Sequence, residues 1–414
     1  MFLDAAHSLS NLRGDARAVD VSIIMPCLDE AISLPHCIAN ARRALDLIEA
    51  QHGLLGEIVI ADNGSTDGSQ QLATDMGARV VPVARRGYGA ALIGGCEGAY
   101  GRYLLMGDAD GSYDFTDGVA MIGELLAGAE LCMGSRFKGG IAPGAMPWKN
   151  RYIGNPVLTG ILNLFFRSGI SDAHCGLRAI TRDCFTSLGL SGSGMEFASE
   201  MVIKASLRRF RLTEVPATLS VDLRDRAPHL RPWRDGWRHL RYLLMLSPTW
   251  VFGVPGMVAL ATGLAIFFMA LMQALVPGSF PAVGNYWVVL AAALVSGGHL
   301  CGMLAFAGKL YGLRAGYRAA RPWETRWGAR LSLEAMLLSG LALGGMGTTV
   351  LAAVFWKWTE RDFGATYSIL PAVLGTTLVT MGMQTIMGGF LMAILGGNES
   401  RFYRSSTSAT LPLR

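Results

Sequence analysis

Charge is scarce in this chain: Asp, Glu, Lys and Arg together make up only 16% of its 414 residues, while 51% are hydrophobic. That balance, with a mean hydropathy of +0.35, is too apolar for an ordinary soluble protein. Paired cysteine motifs are missing as well. The seven cysteines, Cys27, Cys37, Cys96, Cys132, Cys175, Cys184 and Cys301, are odd in number and scattered, with no C-x-x-C pair. Neither zinc nor dithiol redox chemistry is expected of them, and they read as small buried apolar residues in a reducing compartment. The first 20 residues lack the apolar core of a signal peptide, so the N-terminal domain is expected in the cytoplasm. A net charge of +5 is modest, and its visible clusters lie beside apolar stretches. Anionic lipid is therefore the expected partner and nucleic acid is not.

What the chain does have is unevenly distributed. Up to about residue 245, charged and apolar residues mix as in a globular α/β domain; beyond it come four long apolar stretches, roughly 250 to 276, 285 to 308, 333 to 356 and 368 to 395. Each exceeds the approximately 20 apolar residues that a bilayer crossing needs. Orientation follows from Lys and Arg, which stay cytoplasmic. The second connection carries Lys309, Arg314, Arg318, Arg321, Arg326 and Arg330 against one Glu324, and the tail carries Arg401, Arg404 and Arg414. The first connection, Pro277 to Gly284, has no charge, and in the third Lys357 and Arg361 balance Glu360 and Asp362. The basic ends then face the cytoplasm, and an even number of spans puts the N-terminal domain there too. Glycine clusters such as Gly340 to Gly347 and Gly388-Gly389 permit close helix packing, within one chain or in a homo-oligomer.

In the N-terminal part, β-rich apolar runs alternate with helical patterns. Strands are expected at Val21 to Pro26, Glu57 to Asp62, Arg79 to Val83, Tyr103 to Asp108 and Glu130 to Ser135, with helices around 31 to 51, 66 to 77, 88 to 100 and 115 to 128. Such alternation predicts an α/β domain with a mostly parallel, Rossmann-like sheet. Ligands of these sheets bind beyond the carboxyl ends of the strands, where this chain places Asp29-Glu30, Asp62-Asn63-Gly64-Ser65 and Asp108-Ala109-Asp110. Residues i and i+2 of a strand share one face, so Asp108 and Asp110 could converge on hard Mg2+ or Mn2+, leaving coordination positions for phosphates and water. Asp67 and Ser65 read as helix caps, and Asp29 could cap the helix that follows it. Asp62 ends a buried strand beside the proposed metal site, where its carboxylate could accept hydrogen bonds from a base or ribose.

The runs Val21 to Glu30 (VSIIMPCLDE), Ile60 to Gly68 (IADNGSTDG) and Gly107-Asp108-Ala109-Asp110, at this spacing, resemble family 2 glycosyltransferases of GT-A fold. Gly134-Ser135-Arg136-Phe137, Asp172 to Ala179 and Arg226 to Arg231 are similar to the branch that makes polyprenyl-phosphate sugars, the dolichyl-phosphate mannose and glucose synthase group. The resemblance covers about residues 20 to 250. It implies a donor site of Pro26, Leu28, Glu30, Asp62, Gly87, Asp108, Ala109 and Asp110, in which Asp62 contacts the nucleoside and Asp108 and Asp110 handle metal and diphosphate. Asp110 and Arg136 are the implied catalytic residues. Two departures bear on specificity: Ser112 stands where mannose synthases often have Gln, and Asn63 replaces the second Asp of the usual D-D-G-S motif.

A polyprenyl phosphate acceptor is already an oxyanion at pH 7, so the reaction needs no dedicated general base. The demand is for cations, and Arg136, Arg178, Arg224, Arg226, His229 and Arg231 have the right chemistry; Arg178, Arg224, Arg226, His229 and Arg231 are the expected acceptor-phosphate set. The group from Arg224 to Arg231 is expected beside an amphipathic helix rather than in the strand-end crevice. From Pro232 to Leu246 apolar Trp233, Trp237, Leu240 and Leu244 recur at helical spacing, with Arg234, Arg238 and Arg241 between them, the signature of a helix lying in the membrane interface. Ile153 to Phe166 could rest on the membrane or be buried. The expected organisation is an extension (1–20), a cytoplasmic GT-A domain (21–231), an interfacial helix (232–247), a four-helix transmembrane domain (248–397) and a cytoplasmic tail (398–414).

The expected activity is inverting, metal-dependent transfer of one hexose from a nucleotide sugar to a polyprenyl phosphate. A processive polysaccharide synthase is the first alternative, but its usual Q-x-x-R-W is absent, the nearest fragment being Arg231 to Trp237 (RPWRDGW). A non-catalytic membrane scaffold or flippase component is the second. Against it stand the intact Asp62, Asp108 and Asp110 and spans with very few ionisable residues.

Overall fold

The structure is a computed structural model that describes residues 19–224, 232–276, 278, 283–328, 331–364 and 368–402. The chain divides into two compact units, Met1–Leu243 and Leu244–Arg414.

The first unit runs β1 (Val21–Cys27), α1 (Leu34–His52), β2 (Gly56–Asp62), α2 (Ser69–Asp75), β3 (Arg79–Pro82), α3 (Tyr88–Gly98), β4 (Tyr103–Met106), α4 (Gly118–Leu126), β5 (Leu131–Ser135), α5 (Asn155–Phe166), β6 (Arg178–Thr181), α6 (Arg182–Leu188), α7 (Phe197–Arg208), β7 (Leu212–Pro216) and α8 (Pro232–Met245). Its sheet has the order β3-β2-β1-β4-β6-β5-β7. β1 is parallel to both β2 and β4, and Val21, Ile23, Ile24 and Met25 are wholly buried, as a central strand covered on both faces requires. On α1 the buried residues Leu34, Cys37, Ile38, Ala41, Ala44 and Ile48 recur every three or four positions, forming the stripe that packs on the sheet. Gly53 ends that helix in the left-handed region at φ 68°, its N–H bonded to the Glu49 carbonyl.

The five expected strands are present, with β4 ending two residues early at Met106. β6 and β7 are additional. β6 lies antiparallel between β4 and β5, and β7 pairs parallel to β5 at the sheet edge. The register aligns Cys27 with Asp62 and Ile24 with Met106, which gathers the loops after β1, β2 and β4 at one edge of the sheet. Preceding and forming α5, a helical segment exposes Tyr152, Ile153, Val157 and Leu164 on one side and buries Thr159, Leu162 and Phe166 on the other. The buried reading of this stretch thus holds for one face only, and the other is exposed.

Among its described residues the second unit contains four helices long and apolar enough to cross a membrane: α9 (Thr249–Leu275), α10 (Asn285–Arg314), α11 (Leu333–Thr359) and α12 (Leu370–Leu395). They coincide with the four apolar stretches. Close glycine contacts hold them in pairs. A Cβ on Gly382 would lie 2.6 Å from the Gly340 carbonyl oxygen, one on Gly347 2.6 Å from that of Gly375, and one on Gly298 2.6 Å from that of Gly256. Gly340 and Gly347 thus serve packing within the chain. His299 on α10 adds a polar tie, its Nδ1 lying 2.9 Å from Gln384 Oε1 on α12.

Candidate active site

The loops after β1 and β2 are laced together by short side chains. Asp29, at φ 56°, accepts a hydrogen bond from the Thr66 amide at 2.7 Å, and Ser65 Oγ accepts one from the Asp29 amide at 3.0 Å. Ser69 Oγ takes the Glu30 amide at 3.1 Å and Asp67 the Ala31 amide at 2.9 Å. Asp67 receives the Ser69 amide at 3.0 Å just ahead of α2, whose N-cap position is taken by Gly68 with no side-chain cap bond. Asp29 and Ser65 instead join the two strand ends.

Asp108 and Asp110 lie in a turn beyond the end of β4, so a shared strand face is not what unites them. Asp110 Oδ1 accepts the Ser112 amide at 3.0 Å and hydroxyl at 2.6 Å, and its Oδ2 faces Arg224 Nη1 at 3.1 Å. Asp108 takes a hydrogen bond from the Tyr88 hydroxyl, while burial first and the Asp110 charge second push its carboxyl up to about 6. Its Oδ1 is buried and has no hydrogen-bond partner in the protein. A carboxylate held close to a second one, with an unsatisfied oxygen, suits a hard divalent cation. The pair stands without a third ligand: among the described residues no cluster of three or more His, Cys, Asp or Glu is present.

Above this pair opens a cavity of about 440 Å3 built entirely from the first unit. Of the expected residues, Pro26, Leu28, Glu30, Gly87, Asp108, Ala109, Asp110 and Arg224 line it, joined by Cys27, Asn63, Arg86, Tyr88, Ala91, Gly194, Met195, Arg234 and Arg238. Gly87 has a specific steric role. At φ 127° its missing Cβ would lie 2.2 Å from the Ser193 carbonyl oxygen, so only glycine lets the two loops meet. Asn63 fixes the same place, donating to the Val83 and Arg85 carbonyls at 2.9 and 2.8 Å and accepting the Gly87 amide at 2.7 Å. An aspartate, acceptor-only when ionised, could not make the first two bonds. The departure from D-D-G-S therefore has a structural reason.

Three expected residues do not line the cavity. Asp62 is buried and turned onto its own loop, accepting the Gly64 amide at 3.0 Å, the Ser65 amide at 3.2 Å and Gln70 Nε2 at 2.7 Å. Arg136 is held in a bidentate pair with Asp172, at 2.6 Å through Nε and 2.7 Å through Nη2. Arg178 is buried in β6, donating to the carbonyls of Cys175 and Ala198. Arg224 is corrected in place: rather than standing outside the strand-end crevice, it lies within it, bridging Glu30 at 2.9 Å and Asp110. The backbone explains why, because the Leu223 amide bonds to the Asp110 carbonyl at 2.8 Å and the Ser220 amide to that of Ser112 at 2.8 Å. Arg226, His229 and Arg231 lie outside the described residues.

Arg234 and Arg238, expected only as polar positions of the interfacial helix, are the main additions to the lining. The signal was their i, i+4 spacing; what sequence could not supply was the direction of that face. α8 is held against α7 by Ser199 Oγ, 2.7 Å from His239 Nδ1 and 3.3 Å from His174 Nε2, and by a bond between Tyr242 and Glu200. The two imidazoles meet edge to face at 4.8 Å. Burial, reinforced by His239, holds His174 well below the usual histidine range. An unfolded histidine takes up its proton near pH 6.5 while the folded one resists, so stability is expected to fall as pH drops below about 6.5. Thermal unfolding across pH 5 to 8 should show this slope, and His174→Gln should flatten it.

The comparisons with known proteins agree with this architecture. Residues 22–189 match the family model for glycosyl transferase family 2, and residues 305–396 that for the glycosyltransferase family 2 C-terminal transmembrane region. The low-salt glycan biosynthesis hexosyltransferase Agl6 of Haloferax volcanii is 33% identical over 92% of this chain and 90% of its own length. Glycosyltransferase AglJ of the same organism is 32% identical over 59% of this chain and 79% of that protein. Polyprenol monophosphomannose synthase of Mycolicibacterium smegmatis is 27% identical over 48% of this chain and 76% of that one. The chain belongs to glycosyltransferase family 2. It is a membrane glycosyltransferase in which a GT-A-like domain precedes four apolar helices.

Proposed function

We propose that this enzyme transfers a single hexose, with inversion, from a nucleotide sugar of the UDP-glucose or GDP-mannose type to a polyprenyl phosphate at the cytoplasmic face of the cytoplasmic membrane. The carrying observation is that one cavity is lined both by the carboxylates Glu30, Asp108 and Asp110 and by the guanidinium groups of Arg86, Arg224, Arg234 and Arg238. Carboxylates of that kind would hold Mg2+ or Mn2+, which supplies neutralisation of the charge growing on the departing nucleoside diphosphate. Arg224, already drawn to Asp110, adds a fixed positive charge on the donor side. Tyr88 orients Asp108, and Gly87 and Asn63 set the loop on which Tyr88 begins α3. The names of a hexosyltransferase and of a polyprenol monophosphomannose synthase among its relatives support the same reading.

Incubating the purified protein with a panel of nucleotide sugars and undecaprenyl or dolichyl phosphate, followed by mass spectrometry of the lipid, tests donor and acceptor together. A hexose mass added to the lipid phosphate supports the proposal; transfer only to soluble sugars or to a growing polymer rejects it. The orientation is checked separately. A cysteine introduced at Arg321 on a cysteine-depleted background should resist an impermeant thiol reagent in intact cells and react after lysis.

A further inference from the structure

We propose that Arg234 and Arg238 of α8 form the subsite for the phosphate of the acceptor, so that the helix leading into the membrane is itself a wall of the active site. This inference rests on the transfer reaction proposed above. Both residues line the cavity that contains Asp108 and Asp110, and at i, i+4 they are neighbours on one helical face, a spacing that suits two guanidinium groups to one phosphate. Two further arginines line the cavity, Arg86 and Arg224, and Arg224 bridges Glu30 and Asp110, beside the carboxylates that the proposed reaction assigns to the donor diphosphate.

The setting of α8 fits an acceptor more than a donor. Its inner face is fixed by buried Leu243 and by the His239 contact to Ser199, so the arginine face is held in position before any ligand arrives. Trp237 and Met245 are exposed on α8, as suits a helix at a lipid interface. Only Leu246, Ser247 and Pro248 separate α8 from the membrane-capable helix that starts at Thr249. A phosphate whose polyprenyl tail lies in hydrocarbon cannot leave the headgroup layer, so its ligands must come from an element tethered there. The donor, a soluble molecule, has no such constraint. The same two cations could instead grip headgroups of anionic lipid, and the experiment separates these sources.

Full-length protein carrying Arg234→Gln, Arg238→Gln or both, and the corresponding Lys variants, is placed in nanodiscs of zwitterionic lipid and in nanodiscs containing anionic lipid. The probes are undecaprenyl phosphate and whichever nucleotide sugar the unsubstituted protein transfers to it. The double Gln variant should raise the KM for undecaprenyl phosphate by about tenfold or more in both discs, as the loss of charge-assisted hydrogen bonds implies. Its donor Kd by calorimetry should stay within about twofold, which also reports an intact fold, and Lys should restore part of the loss. Three results overturn the proposal: an unchanged KM, a loss of donor affinity with an unchanged unfolding temperature in the single variants, or an effect confined to the anionic discs. If the unsubstituted protein does not use undecaprenyl or dolichyl phosphate at all, it is the reaction itself, and not this subsite alone, that is rejected.

Discussion

Asp110→Ala is expected to lower the rate of sugar transfer by about 10²- to 10³-fold or more, the range found when an electrostatic stabiliser of a developing anion is removed. The reasoning starts from the pair. Asp108 keeps an unsatisfied buried oxygen, and Asp110 Oδ2 has only the Arg224 guanidinium as a partner in the hydrogen-bond and ion-pair pattern described above. Deleting Asp110 removes half of the proposed divalent-cation site and leaves Arg224 paired with Glu30 alone. The fold should survive, because Asp110 sits in a turn whose backbone is tied independently through its carbonyl to Leu223. Asp110→Asn, which keeps the bonds from Ser112 but not the charge, should be nearly as inactive. Single-turnover transfer at saturating donor, with isothermal titration of Mg2+ or Mn2+ in the presence of the nucleoside diphosphate, reads both effects. Near-normal transfer by Asp110→Ala, or full activity in excess EDTA, would contradict the metal role.

How far the sequence could be read depended on whether a contact was local. The strand ends after β1, β2 and β4 were legible, because apolar runs bounded by polar turns are a local signal and parallel sheets gather their carboxyl ends. Pro26, Leu28, Glu30 and the stretch Asp108-Ala109-Asp110 consequently meet at one cavity. β6 was not legible: four residues, Arg-Ala-Ile-Thr, follow no clear alternation, and the strand is stabilised by antiparallel partners more than 40 residues away in sequence. Asp62 marks a different limit. A carboxylate at a strand end can face a ligand or close its own turn, and Gln70, Gly64 and Ser65 draw this one into the turn. The arginines divide for the same reason. Residue type alone made Arg136, Arg178 and Arg224 equivalent, whereas tertiary contacts give the first a carboxylate partner, bury the second among carbonyls and carry the third into the crevice. Helical spacing found the face of Arg234 and Arg238 but not its direction, which is set by the buried contacts of His239 and Leu243.

Asp172→Ala is expected to destabilise the first unit by about 3–5 kcal/mol, the cost of leaving one member of a buried ion pair unpaired. Asp172 is wholly buried, and both its oxygens take bonds from Arg136, which is itself only 8% exposed. The same carboxylate also accepts the Arg136 amide at 3.2 Å, so it ties the turn after β5 to the loop that leads into β6. Removing it strands a guanidinium away from water and frees that turn. Replacing both partners by apolar groups, as in Arg136→Met with Asp172→Leu, should cost much less than the sum of the single changes, because neither a bare charge nor an empty space remains. Thermal unfolding of the two single variants and the double variant in one detergent measures the coupling. The double variant also decides what Arg136 contributes beyond structure. If it is stable and retains transfer, Arg136 is a strut that holds two loops of the fold; if it is stable but inactive at saturating donor and acceptor, the guanidinium reaches a phosphate during turnover, and the pair seen with Asp172 is the resting arrangement of a catalytic residue.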